Sequence, residues 1–495
     1  MIGRNGLYRR DLLKGAAGGA AAMLGARAGV TRAQESTPAA AGSGGTIRVL
    51  VVGDPFQFAL EKVLGQFTEQ TGINVEMENL AYDQLNARLA TSFVSGTPDA
   101  DVITVDQMWN GTYSDSGWII PLDEFIAGDA DVDVQDFIPE VLYSLNTWRG
   151  QVVTLPIAAY GQGVVYRQDV FEANGIDAPP TDAADAAGWT WDRYREIAEG
   201  IQGTDFEGTS MFGTVVCGAQ PVPIVHMYTQ LAASFGARWF ESFPATTPWD
   251  FVPTINSPEN AEALGFYRSL YELSPPEAIN YVWFDAGTRF SQGDVGLFYW
   301  WTPYFYLTKS DGYMTGTPSV VQDTLGYGVL PKVSDDAEQT VSLGGWSLGI
   351  PSTSANQDAA WQFIKWATGA EAQKQMALVP DFNYSFSDFS RVSLYEDPEL
   401  QEIYPYLPMQ LPIMQQGNGK AVRPPAPGYT TLEGVYGLQL NQALSGALSP
   451  EEALNQTETL WQNILAGLLL IPYSGESYED TVENTQALMD RLAGG

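Results

Sequence analysis

Between residues 47 and 105 the spacing of apolar positions switches repeatedly between a strand-like and a helix-like period. Residues 47–52 form an apolar, β-branched run that predicts a strand, and Leu60, Val63, Leu64 and Phe67 then recur at i, i+3, i+4 and i+7, which predicts a helix. Gly72 ends that helix, residues 74–80 alternate as a second strand, Leu85, Leu89 and Phe93 mark a second helix, and residues 102–105 predict a third, buried strand. This β-α-β-α-β order predicts an α/β region on a parallel, doubly wound sheet. Small ligands bind beyond the carboxyl ends of the strands in such sheets, which points to Asp54 after the first strand and to residues 106–109 after the third.

A second α/β region begins near Pro156, with a predicted strand at residues 163–166 and helices at 191–201 and 258–272. The second of these helices opens on Ser257-Pro258, an N-cap with proline at the first helical position. Beyond Asp358 the pattern is mostly helical, over residues 360–368, 432–444 and 451–470, the last behind another Ser449-Pro450 cap.

Charge and composition narrow the function. The 495 residues include 59 acidic and 24 basic side chains, a net charge of −35 that repels phosphate backbones and anionic membrane surfaces and excludes nucleic acid as a partner. One cysteine, Cys217, and one histidine, His226, exclude an intrachain disulfide and any Cys/His metal centre. At the N-terminus, residues 8–14 (YRRDLLK) precede a weakly apolar run of Gly and Ala, which resembles a twin-arginine export signal occupying residues 1–33. Residues 34–45 have the small, polar composition of a flexible tether. No later stretch carries about 18 uninterrupted apolar residues, and no cysteine ends the signal to take a lipid. The expectation is an exported monomer at the periplasmic or extracellular face of the cytoplasmic membrane, without insertion into it.

Three patterns suggest chemistry and are outweighed by their contexts. Residues 345–349 (GWSLG) fit the G-x-S-x-G nucleophile elbow, but no histidine follows Ser347 in the sequence. Asp129, Asp131, Asp133 and Glu140 have the spacing of a calcium loop, yet Val134 stands where that loop needs glycine, so a solvated acidic loop is the reading. Gly161 and Gly163 lack the third glycine of a dinucleotide fingerprint. No cofactor, metal or catalytic residue is predicted.

Taken in order, a series of short segments resembles the carbohydrate-binding group of extracellular solute-binding proteins of ABC transporters, the group that includes maltose-binding protein. They are residues 101–106 (DVITVD), 117–125 (GWIIPLDEF), 155–171 (LPIAAYGQGVVYRQDVF), 290–298 (FSQGDVGLF), 343–351 (LGGWSLGIP), 360–365 (AWQFIK), 395–399 (YEDPE) and 449–454 (SPEEAL). The resemblance implies a two-lobe periplasmic-binding-protein fold whose doubly wound sheets are joined by a hinge and close on a ligand in the cleft. Lobe one would comprise residues 46–158 and 340–385, and lobe two residues 159–339 and 386–495. It implies a receptor, not an enzyme, that binds a neutral sugar or oligosaccharide and delivers it to a membrane permease. A phosphorylated polyol or other polar solute is the alternative ligand, and a carbohydrate-active hydrolase the alternative activity. By position, the implied ligand-binding residues are Asp54, Phe56, Asp106, Trp109, Tyr160, His226, Tyr228, Trp300, Trp301, Trp346 and Arg423. Met108 and Trp109 stand where maltose-binding protein carries charged residues, which argues against maltose itself. Flat indoles for the C–H faces of a sugar, with Asp and Arg for its hydroxyls, suit a neutral carbohydrate on chemical grounds as well.

Overall fold

The computed structural model describes residues 45–241, 251–303, 305, 318–379, 386–417, 419–468 and 490–492. The signal at residues 1–33 and nearly all of the 34–45 tether therefore lie outside the described residues. The chain opens with β1 (Thr46–Val52), α1 (Pro55–Thr71), β2 (Asn74–Leu80), α2 (Tyr82–Ser95) and β3 (Val102–Asp106), the order that the hydrophobic pattern predicts. β1 pairs in parallel with β2 on one side and with β3 on the other. β3 is buried at every position, because both faces of the sheet are covered there, and its sequence VITVD accordingly shows no polar alternation. β2 sits at the sheet edge and keeps its alternation. Leu60 and Phe67 of α1 are fully buried, and Gly72 closes the helix at φ 74°, its N–H donating to the Thr68 carbonyl at 2.8 Å. That left-handed cap is where glycine is favoured over other residues.

Five more strands build the sheets that frame the site: β4 (Leu155–Tyr160), β5 (Gln162–Arg167), β6 (Leu297–Trp301), β7 (Leu325–Gly328) and β8 (Gly344–Gly349). The first sheet has the order β2-β1-β3-β8-β4, and β8 runs antiparallel to both of its neighbours. The second has the order β6-β5-β7, with both outer strands antiparallel to β5. Only Gly161 separates β4 in the first sheet from β5 in the second. At this crossing the Gly161 N–H donates to Thr302 Oγ1 at 3.2 Å, and the Thr302 hydroxyl donates to buried Asp388 at 2.9 Å. The Asp388 carbonyl in turn accepts from Ala159 N–H at 3.0 Å, so three chain passages are tied together where the sheets meet.

Around the second sheet lie α3 (Trp191–Ile201), α4 (Val222–Ser234), α5 (Pro258–Glu272) and α6 (Trp283–Ser291). The C-terminal half adds α7 (Gln357–Ala367), α8 (Leu407–Gln415), α9 (Tyr429–Leu444) and α10 (Pro450–Gly467). Both predicted caps form: the Ser257 hydroxyl accepts from Asn260 N–H, and Ser449 makes a reciprocal capping box with Glu452. α9 and α10 pack on each other and on α5, and α9 also packs on α4. Residues 388–397, which the sequence-based division assigns to lobe two, also bond to residues that it assigns to lobe one. Ser390 accepts from Ile138 N–H at 3.0 Å, Arg391 donates to the Val132 carbonyl at 2.8 Å, and Asp397 pairs with Lys374 at 2.7 Å. The run of polar and apolar residues there carries no long-range information, so only the packed structure reveals these partners.

The acidic loop neutralises itself with protein groups. Asp129 pairs with Lys365 at 2.7 Å and accepts from Asp131 N–H, while the Asp133 carbonyl accepts from Arg391. Among the described residues no group of three or more acidic, histidine or cysteine side chains could hold a metal.

Candidate functional site

A cavity of about 220 Å³ opens where strand ends of the two sheets face each other. Its lobe-one wall comes from the carboxyl ends of β1, β2 and β3 together with the start of β8. Asp54 follows β1 at the N-cap position of α1, but its carboxyl bonds to the Tyr160 hydroxyl at the end of β4 and makes no cap bond to the helix. Burial pushes the Asp54 carboxyl up to about 6, against the lowering effect of the Tyr160 hydroxyl and the Trp346 indole N–H. Asp106 ends β3. One of its oxygens accepts from Met108 N–H at 3.1 Å and the other from the Tyr82 hydroxyl at 3.2 Å. Burial raises its pKa too, and the positive charge of Arg423 opposes the shift.

The start of β8 puts three consecutive residues, Gly344, Gly345 and Trp346, on the cavity wall. A regular strand would alternate them between faces. Here Gly345 takes φ 126°, and the register with β4 shifts between Trp346 and Ser347. A side chain at Gly345 would place Cβ 2.1 Å from the Ala158 carbonyl oxygen. One at Gly344 would come within 3.1 Å of both the Trp301 ring and the Arg423 guanidinium. Glycine at both positions lets the backbone approach these groups. Trp346 leans on Tyr82 and Trp109, with ring centroids 5.8 and 5.9 Å away.

The opposite wall carries Trp301 from the end of β6, His226 from α4, Trp283 and Phe284 from the first turn of α6, and Arg423 from the segment before α9. Arg423 is 2% exposed; its Nη2 donates to the Leu343 carbonyl at 3.2 Å and its guanidinium lies 5.3 Å from the Trp301 ring centroid. Its Nε and Nη1 are buried without a hydrogen-bond partner among the described residues. Such donors are costly unless something accepts from them. His226 stands 5.4 Å from Trp283, and its Nε2 is 2.9 Å from Glu433 of α9. Burial, reinforced by Arg423, pushes the imidazole well below its ordinary value, and burial raises Glu433 to about 8. Both shifts favour the uncharged forms of the pair.

The cavity thus offers two carboxyl groups as acceptors, a guanidinium with unused donors, and flat aromatic surfaces between them. Of the residues singled out from the sequence, it brings together Asp54, Asp106, Tyr160, His226, Trp301, Trp346 and Arg423. Phe56, Trp109, Tyr228 and Trp300 are not on its wall. Phe56 is wholly buried in the first turn of α1. Trp109 packs behind Trp346 and Tyr82, one layer from the cavity. Tyr228 points into the helical layer, where its hydroxyl donates to Asn260 Oδ1 at 2.6 Å. Trp300 alternates with Trp301 to the other face of β6 and covers Gly287, where a Cβ would fall 1.8 Å from its ring. Tyr82, Trp283 and Phe284 line the cavity without having been singled out. Tyr82 sits just past the end of β2, so the strand-end rule that found Asp54 and Asp106 carried a signal for it. For Trp283 and Phe284 the sequence shows only an aromatic pair, as common in cores as in sites.

Ser347, the centre of the G-x-S-x-G pattern, is 1% exposed and lies within β8, opposite Val105 and Pro156. Its hydroxyl has no hydrogen-bond partner among the described residues, and it is not among the residues that line the cavity. A nucleophile elbow instead lifts its serine onto a turn between strand and helix.

The sequence profile described as "Bacterial extracellular solute-binding protein" matches residues 53–374. The chain is 25% identical over 421 residues to a probable amino-acid ABC transporter periplasmic-binding protein of Sinorhizobium fredii, covering 84% of this chain and 88% of that one. It is 24% identical over 427 residues to a mannitol-binding protein of Pseudomonas aeruginosa, covering 83% and 90%. Among solved structures, an ABC transporter solute-binding protein of Agrobacterium radiobacter in complex with ribitol aligns with a TM-score of 0.72 at 28% identity, over 85% of this chain and 99% of that one. One from Agrobacterium vitis with bound D-mannitol aligns with a TM-score of 0.72 at 25% identity, over 86% and 99%. With the match spanning well over half its length, the chain belongs to the bacterial extracellular solute-binding protein family.

Proposed function

We propose that the chain is the extracytoplasmic receptor of an ABC importer and that its cavity takes one neutral, hydroxyl-rich solute, the size of a short polyol or a single sugar ring, for delivery to a membrane permease. The observation that carries this reading is the cavity itself. At about 220 Å³ it is smaller than the ~300–1,000 Å³ of sites for drug-sized ligands, and its polar groups are two carboxyls and a guanidinium with unused donors, set among indoles. A polyol presents alternating hydroxyls, each both donor and acceptor, and C–H edges that pack on indole faces. Proteins similar to this one are named for mannitol, or for erythritol and L-threitol, or hold ribitol or D-mannitol in the crystal.

Among the described residues Arg423 is the one guanidinium or ammonium group lining the cavity, which two carboxyl groups share, an arrangement that disfavours a phosphorylated ligand. The hydrolase alternative has a buried serine without a base. A thermal-shift screen over polyols, single sugars, phosphorylated polyols and amino acids tests the reading. A polyol or sugar at 100 times its dissociation constant adds about 2.7 kcal/mol of stability. Stabilisation by amino acids alone would reject it, as would cleavage of the bound sugar. No described helix is long and apolar enough to cross a membrane. We infer export by the twin-arginine route, in which case replacing both Arg9 and Arg10 with lysine leaves the precursor in the cytoplasm; normal export of that variant would rule the route out.

A further inference from the structure

The chain contains one histidine, and the structure puts that residue on the cavity wall, with a ring nitrogen bonded to a buried carboxyl group. His226 Nε2 and the Tyr429 hydroxyl both meet Glu433 Oε1, at 2.9 and 3.0 Å. Tyr429 and Glu433 are one turn apart on α9, and His226 reaches them from α4. All three residues are buried, with Glu433 only 1% exposed. The other ring nitrogen, Nδ1, makes no hydrogen bond with any described residue.

The Tyr429 hydroxyl donates to Oε1; if Nε2 donates there too, Oε1 is a carbonyl-type acceptor and any proton carried by Glu433 belongs on Oε2, whereas the other tautomer requires Oε1 to donate to Nε2. A neutral imidazole has one N–H and one lone pair. With the N–H directed from Nε2 to Glu433, the lone pair is left on Nδ1. We propose that Glu433 is a positioning residue that fixes His226 in the Nε2–H tautomer, so that the cavity presents the Nδ1 lone pair as an acceptor for a hydroxyl of the solute. Burial and the nearby Arg423 charge support the uncharged ring that this arrangement needs. The acceptor gives the wall opposite Asp54 and Asp106 a group that accepts a hydrogen bond from a hydroxyl without adding charge. Its use by the solute rests on the polyol or sugar reading above; the tautomer does not.

Because His226 is the only histidine, protein labelled with [15N]histidine gives ring-nitrogen signals from this residue alone. In the ligand-free protein at neutral pH we expect a protonated Nε2 and an unprotonated Nδ1. Glu433→Ala should lose this fixed pattern and Glu433→Gln, whose carbonyl oxygen can still accept, should restore it. A protonated Nδ1 in the wild type, or an unchanged pattern in Glu433→Ala, overturns the positioning role; should the alanine variant not fold, the wild-type and glutamine spectra decide. Ribitol and D-mannitol are then titrated as probes. Binding should move the Nδ1 signal, and Glu433→Ala should weaken it roughly ten-fold while Glu433→Gln stays near wild type. Tight binding that leaves Nδ1 unmoved overturns the acceptor role. If neither polyol nor any single sugar binds, the functional reading fails and takes the acceptor role with it, while the ligand-free spectrum separately upholds or overturns the tautomer.

Discussion

Trp346 and Ser347 are neighbours in β8, yet the bulge sends the indole to the cavity and keeps the hydroxyl within the sheet. Trp346→Ala removes an aromatic platform, for which about 2–3 kcal/mol of binding is expected, a roughly 30- to 150-fold loss measurable by calorimetry. The same indole packs on Tyr82 and Trp109, so the variant is also less stable and affinity must be referred to the folded fraction. Ser347→Ala should leave affinity unchanged; a larger loss there than at Trp346 would revive a role for the serine. Asp54 supplies a second prediction. Its carboxyl titrates near 6, and only the ionised form is a pure acceptor for ligand hydroxyls. Affinity should therefore fall as pH drops through about 6, and Asp54→Asn should remove that step. A wild-type affinity that stays flat across this range would mean the carboxyl is not an acceptor for the ligand.

Among the elements, the start of β8 is the most exacting. Gly345 combines a positive φ with contact against the backbone of Ala158, so Gly345→Ala adds both backbone strain and a clash that no flexible side chain can relieve. A loss of at least about 2 kcal/mol is expected in denaturant unfolding. A smaller loss would mean that β4 and β8 slide apart easily. β6 shows the converse lesson. Its sequence LFYWW gives no amphipathic signal because both faces are covered, and strand alternation alone sends Trp301 to the cavity and Trp300 against Gly287. An aromatic run read from sequence holds both residues equally.

Across the whole molecule, buried carboxyl groups with raised pKa values, among them Asp54, Asp106, Asp388 and Glu433, shape the pH response of stability. Burial raises Asp54 to about 6, and Asp388 and Glu433 each to about 8. Between the ordinary carboxyl range near 4 and these values the folded state binds more protons than the unfolded chain, so unfolding free energy falls as pH rises across that window. The net charge of −35 acts in the same direction, since fewer carboxylates repel one another at lower pH. Asp99 and Asp397, lowered by hydrogen bonds from Arg88 and Lys374, act oppositely below the ordinary carboxyl range, and His226, held well below its ordinary 6.5, acts oppositely as pH falls through that value. The thermal midpoint should therefore rise as pH is lowered from 9 to 6, and Asp388→Asn should flatten that rise. A midpoint that is constant or falls on acidification would show these carboxyls to be stably ionised in the fold.

Local pattern determined much of this protein. The β-α-β-α-β start, the Gly72 stop and the Ser257 and Ser449 caps are fixed by interactions within a few residues, or by burial of one helix stripe, and each is legible as a spacing. The strand-end rule likewise located Asp54 and Asp106, because in a parallel sheet the ligand side follows from chain direction. The remainder required the assembled structure. Residues 388–391 meet Val132, Ile138 and Ala159 through hydrogen bonds that span more than 200 positions, which no local spacing encodes. Trp109 and Tyr228 carry the residue types of a sugar site and stand near it in sequence, but the packing of neighbouring rings and of Asn260 keeps them off the cavity wall. Glu433 is one of many acidic residues in the chain, and only the meeting of α9 with α4 distinguishes it, by bringing a carboxyl group to the single histidine.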